Sequence, residues 1–300
     1  MDLWIAASMS AALFQTVRFM LQKVLSMGVL STAGSTFARF VYAAPVVWTA
    51  LLCALWLGAR PFPALSVTFW VNAALGGLAQ IMATACVVAL FRQRNFAVGI
   101  TFKKTEVILT AIVGLLFFNE IVSLIGWIAI LIGLAGVLLL SRTPGLEKGL
   151  WASLTSRATG LGLAAGLLFA VSATTYRAAS LEIASDDPWL RAGVTLACVI
   201  TLQCLSMMLW LRFREPGQMS AVWQARKVAV WIGLTSLAGS FCWFLAFTLQ
   251  TAAYVKAVGQ IELIFSIMAT VLFFKEKITL RELIAVGCLA VSILVFVLAV

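Results

Sequence analysis

The sequence predicts an all-α integral membrane fold: ten transmembrane helices arranged as two inverted five-helix repeats. Three observations predict it. The 300 residues are 63 % hydrophobic and only 11 % charged, against about 45–50 % and 25 % in soluble domains. Apolar runs long enough to cross a bilayer, about 20 residues each, recur along the chain between short polar or Pro/Gly breaks. A segment of the first half also reappears in the second. With a mean hydropathy of +1.08, a soluble domain would have to expose far larger apolar patches than water tolerates.

The runs fall at 3–22, 33–57, 66–91, 95–118, 122–141, 158–180, 188–212, 228–250, 254–274 and 279–299. The first opens on Met1-Asp2-Leu3-Trp4, which lacks the positive stretch of a cleavable leader, so it is expected to stay as a span. The second contains Pro45, the only proline in the interior of a span; its missing N–H should kink the helix. Arg60-Pro61-Phe62-Pro63 closes the second run, Arg92-Gln93-Arg94-Asn95 the third and Asn119-Glu120 the fourth. The polar stretch 142–157 separates a first repeat, 1–141, from a second, 158–300. Glu182 to Pro188, Arg212 to Lys227 and Lys275-Glu276-Lys277 divide the second half, and only Thr251-Ala252-Ala253, without a charge, marks the boundary after residue 250.

The net charge of +10 reports topology. Of the 21 basic residues, 13 lie in the loops after the odd-numbered spans. Basic short loops stay in the cytoplasm, so both termini are expected outside it and no nucleic-acid partner is expected. The chain has no histidine, which excludes Ser-His or Cys-His nucleophiles and imidazole-ligated metals. Its six cysteines all sit in apolar runs without CxxC spacing. No metal, cofactor or catalytic residue is expected. Without a GxxxxGK[ST] loop, transport by this chain would have to follow a substrate or ion gradient.

Residues 106–120 align without a gap on 262–276 at a shift of 156, with six identities in fifteen positions, among them both glutamates and a Phe-Phe pair. Five spans per half is an odd number, so the halves enter the membrane from opposite sides. Inverted repeats place a substrate site at their interface. The steps Phe117-Phe118-Asn119-Glu120 and Phe273-Phe274-Lys275-Glu276, with Gly126, Gly133 and Gly136 after the first and Gly287 after the second, resemble the EamA type of the drug/metabolite transporter superfamily. Lys103-Lys104-Thr105-Glu106 and Gly259-Gln260-Ile261-Glu262 look most similar to its amino-acid exporter branch, which includes aromatic amino-acid exporters. Val107 and Leu263 stand where many members carry proline, and the second half lacks most of the glycine pattern. The resemblance implies a multi-pass protein of the bacterial inner membrane, working as a monomer on a small-molecule substrate, with drugs or other metabolites as the alternative cargo.

With the loop charges and those at span ends such as Arg177 and Arg191 set aside, seven charges remain inside the spans: Arg18, Arg39, Lys103, Lys104, Glu106, Lys256 and Glu262. At roughly 2.5–3.5 kcal/mol for each central charge facing lipid, they are expected to line a wet cavity, pair or snorkel. Arg18, Arg39 and Lys256 are near enough to span ends to snorkel. Glu106 and Glu262 are deeper, and two roles are open to them: hydrogen-bond anchors between the repeats, or carboxylates that hold a substrate ammonium or a proton. Lys103 shares a helix face with Glu106 at i, i+3, and Lys104 points elsewhere.

Polar residues at helical spacing form stripes: Gln15, Arg18 and Gln22; Asn72, Gly76, Gln80 and Thr84; Ser236, Ser240, Trp243, Phe247 and Gln250; Glu262, Ser266 and Thr270. Facing inward, they would line a polar and aromatic cavity suited to an amino acid. The candidate substrate-binding residues are therefore Glu262, Glu106, Gln80, Trp243, Tyr254, Tyr176, Gln15 and Ser240, with Glu262, Lys103 and Lys256 as candidates for handling charge. Trp4, Trp56, Trp70, Trp151, Trp189, Trp223 and Trp231 are expected in the interfacial belt. Gly162/Gly166, Ala73/Gly77 and Ala129/Gly133 should permit close helix contacts. A membrane-embedded enzyme is the distant alternative function: Asp186-Asp187 lacks the partner motif of a prenyl-transfer site.

Overall fold

A computed structural model describes residues 2–26, 30–91, 102–140, 156–265, 268 and 279–299. The expected breaks at Arg92–Asn95 and Lys275–Lys277, the pair Phe273-Phe274, residues Ser266 and Thr270, and the linker up to residue 155 lie outside them. Among the described residues the fold is all-helical: α1 Leu3–Ser26, α2 Thr32–Val41, α3 Ala43–Leu57, α4 Val67–Phe91, α5 Glu106–Phe118, α6 Leu124–Leu140, α7 Arg157–Leu181, α8 Pro188–Arg214, α9 Gln218–Gln224, α10 Arg226–Leu249, α11 Ala252–Val258 and α12 Leu280–Ala299. Seven helical segments, α2 and α3 counting as one, are long and apolar enough to cross a membrane; α5 and α6 are shorter apolar helices. This is the make-up of an all-α, multi-pass membrane protein.

Polarity is distributed inside out relative to a soluble protein. Trp56, Leu57, Leu116, Phe117 and Leu298 are exposed, whereas Arg18, Arg39, Lys103, Lys104 and Glu106 are buried. A hydrocarbon solvent demands this arrangement, because apolar side chains lose nothing there while charges do.

Local chemistry sets most boundaries. Ser31 caps α2 through Gly34 N–H at 2.9 Å, Ser156 caps α7 through Thr159 N–H at 3.1 Å, and Asp187 caps α8 with Pro188 as its first residue. Pro45 cannot donate to Val41, and the helix breaks at Tyr42, between α2 and α3, which is the bend its ring dictates. The boundary after residue 250 has a different origin. Arg177 on α7 donates to the carbonyls of Phe247 and Gln250 at 2.6 and 2.7 Å, while its Nε holds Glu120 at 2.7 Å. A distant side chain thus closes the end of α10, together with the local bond from Thr251 N–H to Gln250 Oε1 at 2.8 Å.

Two expected spans are not continuous helices. The span 95–118 is interrupted by a turn at Lys104–Thr105, and α5 starts at Glu106. The span 254–274 starts at Ala252 and passes through a 3₁₀ turn at Gly259–Ile261 before Glu262. Trp4, expected in the interfacial belt, is 6 % exposed and packs in the core with Ile5 and Tyr176.

The largest contacts are α1 with α10, α4 with α7 and α6 with α12. The first two use glycine for close approach: a Cβ on Gly239 would lie 3.1 Å from Phe14 Cβ, and one on Gly76 would lie 2.5 Å from Thr175 Oγ1. At the α6–α12 contact Ser292 donates to the Ala129 carbonyl at 2.7 Å. There a Cβ on Gly136 would stand 2.9 Å from both the Ala285 carbonyl oxygen and Cys288 Cβ. Backbone cannot yield as a side chain does, so Gly136→Val should destabilise the protein by about 1–3 kcal/mol, the usual cost of overpacking. Thermal unfolding of purified protein in detergent measures it; an unchanged midpoint would show that α12 moves away without loss.

Candidate functional site

The site forms where the two broken segments cross. The turn at Lys104–Thr105 is closed by Thr105, whose hydroxyl donates to the Phe102 carbonyl at 2.7 Å. Helix α7 passes directly over it at Gly166, where a Cβ would come within 3.1 Å of the Lys103 carbonyl oxygen. On the opposite segment, the ring of Trp243 lies against Gly259 so closely that a Cβ there would be 2.3 Å from its edge. Small residues thus let other helices cover both breaks, and buried polar backbone stays out of lipid.

Each break presents a glutamate to a lysine of the other segment. Glu106 takes Lys256 Nζ at 2.6 Å and, within its own segment, Lys103 Nζ at 3.3 Å. Glu262 pairs with Lys104 and accepts from Gln15 Nε2 at 2.7 Å. Gln15 in turn accepts from Trp243 Nε1 at 3.2 Å. Lys256 also sits over the Trp243 ring, 4.6 Å from its centroid, where the ring quadrupole favours a cation. In low dielectric such pairs are worth forming only when every charge is engaged.

Beside this crossing, Arg39 donates to Ser236 Oγ at 2.7 Å, Thr84 Oγ1 at 3.0 Å and Ser240 Oγ at 3.3 Å. Arg18 stacks on Phe19, with its guanidinium 4.2 Å from the ring centroid. Arg18 and Arg39 are only 3 % and 4 % exposed. They do not snorkel as their places in the sequence suggest, and neither does Lys256, because neighbouring helices enclose all three. Lys104, expected to point away, reaches the same cluster because the turn rotates it toward Glu262.

A third group completes the interior. Tyr176 donates to Gln80 Oε1 at 3.2 Å and accepts from Gln203 Nε2 at 3.1 Å, while Gln203 also reaches Gln80 at 2.9 Å. Gln203, and Phe169, Ser172 and Phe244 on the lining beside Tyr176, are residues that sequence reasoning missed. The signal for Gln203 was its isolation as an amide in the apolar run 188–212. Tyr254 lies elsewhere: its hydroxyl accepts from Ser123 N–H at 2.9 Å, at the start of α6, and its ring packs on Phe296.

Two cavities of about 20 Å³ each adjoin these side chains, room for one water apiece. One joins Gln15, Lys103, Lys104, Glu106, Trp243, Lys256 and Glu262. The other joins Arg18, Arg39, Gln80, Tyr176, Ser240 and Trp243. Seven of the eight expected binding residues therefore converge, and the conformation closes them on one another. A third cavity of about 720 Å³ is an apolar groove between α3, α8 and α10, with Arg60 and Asp187 on its lining. Those two residues pair at 2.6 Å. The Arg60 contact and the amides of Trp189 and Leu190 hold the Asp187 carboxyl below the usual range. Its stabilising contribution is thus present above the ordinary carboxylate pKa and fades only as pH falls through the lowered one.

No protein-family profile and no curated protein matches the chain. A solved structure described as "Crystal structure of protein" superposes with a TM-score of 0.73 at 14 % identity, covering 98 % of this chain and 96 % of its own. At that identity the likeness is one of fold.

Proposed function

We propose that this chain is a secondary transporter that exports amino acids or related small metabolites by alternating access. The observation that carries the reading is the crossing of two discontinuous segments at Glu106 and Glu262, each glutamate held by a lysine of the opposite segment. Inverted-repeat transporters assemble their substrate site at the interface of the repeats, where helices depart from regular α geometry. Further support comes from spacing and contacts. Thr32 and Pro188, and Leu124 and Leu280, open helices 156 residues apart, the shift that also relates the glutamates. Exchanging the halves turns the α1–α10 contact into α7–α4 and returns α6–α12 to itself, as a two-fold between ten spans in two five-helix units requires. Breaking and remaking the cross-pairs would open the site toward one face and then the other.

Reconstitution tests it. Purified protein in vesicles should carry at least one labelled metabolite from a panel of neutral, acidic and basic amino acids and simple organic acids, saturably and without ATP, faster than protein-free vesicles. No flux of any of them would overturn the reading. The apolar groove of about 720 Å³ favours a second cargo class, lipophilic drugs, and competition by hydrophobic cations in the same vesicles separates the two.

A further inference from the structure

The central cluster is out of electrical balance. Arg18, Arg39, Lys103, Lys104 and Lys256 face it with Glu106 and Glu262 as the acids among the described residues, five positive groups against two negative. Glu106 is shared by two lysines and Glu262 is occupied by Lys104 and Gln15. Among the described residues Arg39 donates to three neutral hydroxyls and pairs with no carboxylate. Arg18 Nη1, fully buried, has no hydrogen-bond partner among the described residues, although its side chain lines the cavity with Arg39 and Lys256. Uncompensated cations in a low dielectric are costly unless something supplies the missing negative charge.

We propose that the substrate supplies it: once the closed cluster opens, the site binds a small organic oxyanion, a carboxylate or phosphate ester of net negative charge, between Arg18 and Arg39. A guanidinium presents the planar fork of donors that matches such a group. The same arrangement disfavours a zwitterion, because an incoming ammonium finds both carboxylates already engaged by lysines. This inference rests on the transporter reading and narrows its cargo to net anions, acidic amino acids included.

The test uses full-length protein in vesicles and in detergent, with chloride, which is not an oxyanion, as the background anion. In vesicles, labelled succinate, aspartate, glycerol 3-phosphate, leucine and lysine are compared. Uptake of at least one of the three anions at ten times the rate of leucine or lysine is expected, and succinate against glycerol 3-phosphate tells carboxylate from phosphate. Arg18→Gln and Arg39→Gln should each cut that uptake tenfold or more, with Arg39→Lys retaining part of it. In detergent, both Gln variants should melt no lower than the parent, since each removes an unbalanced charge, and should lose the rise in melting temperature that the transported anion gives the parent. Leucine or lysine carried faster than every anion, or anion uptake unchanged in both Gln variants, overturns the inference and leaves transport standing. No flux with the anion-induced melting shift intact overturns transport and keeps the anion site. Neither flux nor shift overturns both.

Discussion

Glu106→Gln is expected to destabilise the protein by about 3–5 kcal/mol, the cost of removing one partner from a buried ion pair. The substitution preserves shape and hydrogen-bonding capacity but strips the counter-charge from Lys103 and Lys256, 3.3 and 2.6 Å away. Both lysines are then left in a cluster that already holds more cations than anions. The paired substitution Glu106→Gln with Lys256→Gln should recover much of the loss, because two neutral amides replace the pair and, of the two lysines, only Lys103 stays stranded. A double-mutant cycle isolates the coupling, which is expected to exceed about 1 kcal/mol for groups in direct contact. Unfolding in detergent, followed by tryptophan fluorescence, supplies the four values. A single variant within about 0.5 kcal/mol of the parent, the ordinary scatter of surface substitutions, would mean that water, not Glu106, balances the lysines.

Glu262→Gln is expected to lower the initial rate of transport at least tenfold while the protein still inserts and elutes as a folded species. Gln15 can still hydrogen-bond an amide at this position, so the link from α1 survives, whereas Lys104 loses its ionic partner. Under alternating access that pair must part and re-form in each cycle, and a factor of ten corresponds to about 1.4 kcal/mol in the barrier. Glu262→Asp keeps the charge on a shorter arm and should fall between. Rates are normalised to folded protein, because the variant also loses a buried pair. Equal rates for all three forms would assign Glu262 to holding the segments together.

The two variants separate roles that the sequence left open for the repeated glutamates. Each could anchor the repeats or handle a charge in transit. The geometry joins the alternatives, since the residue that anchors one segment does so by gripping the lysine of the other, and motion between segments must act through that grip. A closed cluster with cavities of about 20 Å³ is what such a grip produces.

Several features were legible in the order of residues because they depend on local chemistry or simple periodicity. The apolar runs, the Pro45 break, the stripe Gln80 to Thr84, the i, i+3 pair of Lys103 with Glu106, and the two glutamates at a common shift needed no knowledge of neighbours. Other features are properties of neighbours and could not be read. Arg177 stops α10 from a different helix. Arg18 and Arg39 look like residues that reach for the membrane surface until α4, α7 and α10 are folded around them. Tyr254 and Trp243 carry the same aromatic promise in the sequence. Only packing sends one to Ser123 and the other to the crossing point.

The sequence by itself determined that this chain is helical, suited to lipid, and provided with more charge inside its spans than a bilayer allows, because hydropathy and period are written residue by residue. The tertiary structure alone decided where those charges meet. An apolar helix matches many partners equally well in hydrocarbon, so close approach at glycines such as Gly166 and Gly259, and the reciprocal grip of Glu106 on Lys256 and Glu262 on Lys104, fix which faces touch. With them came the surplus of positive charge that defines the candidate site.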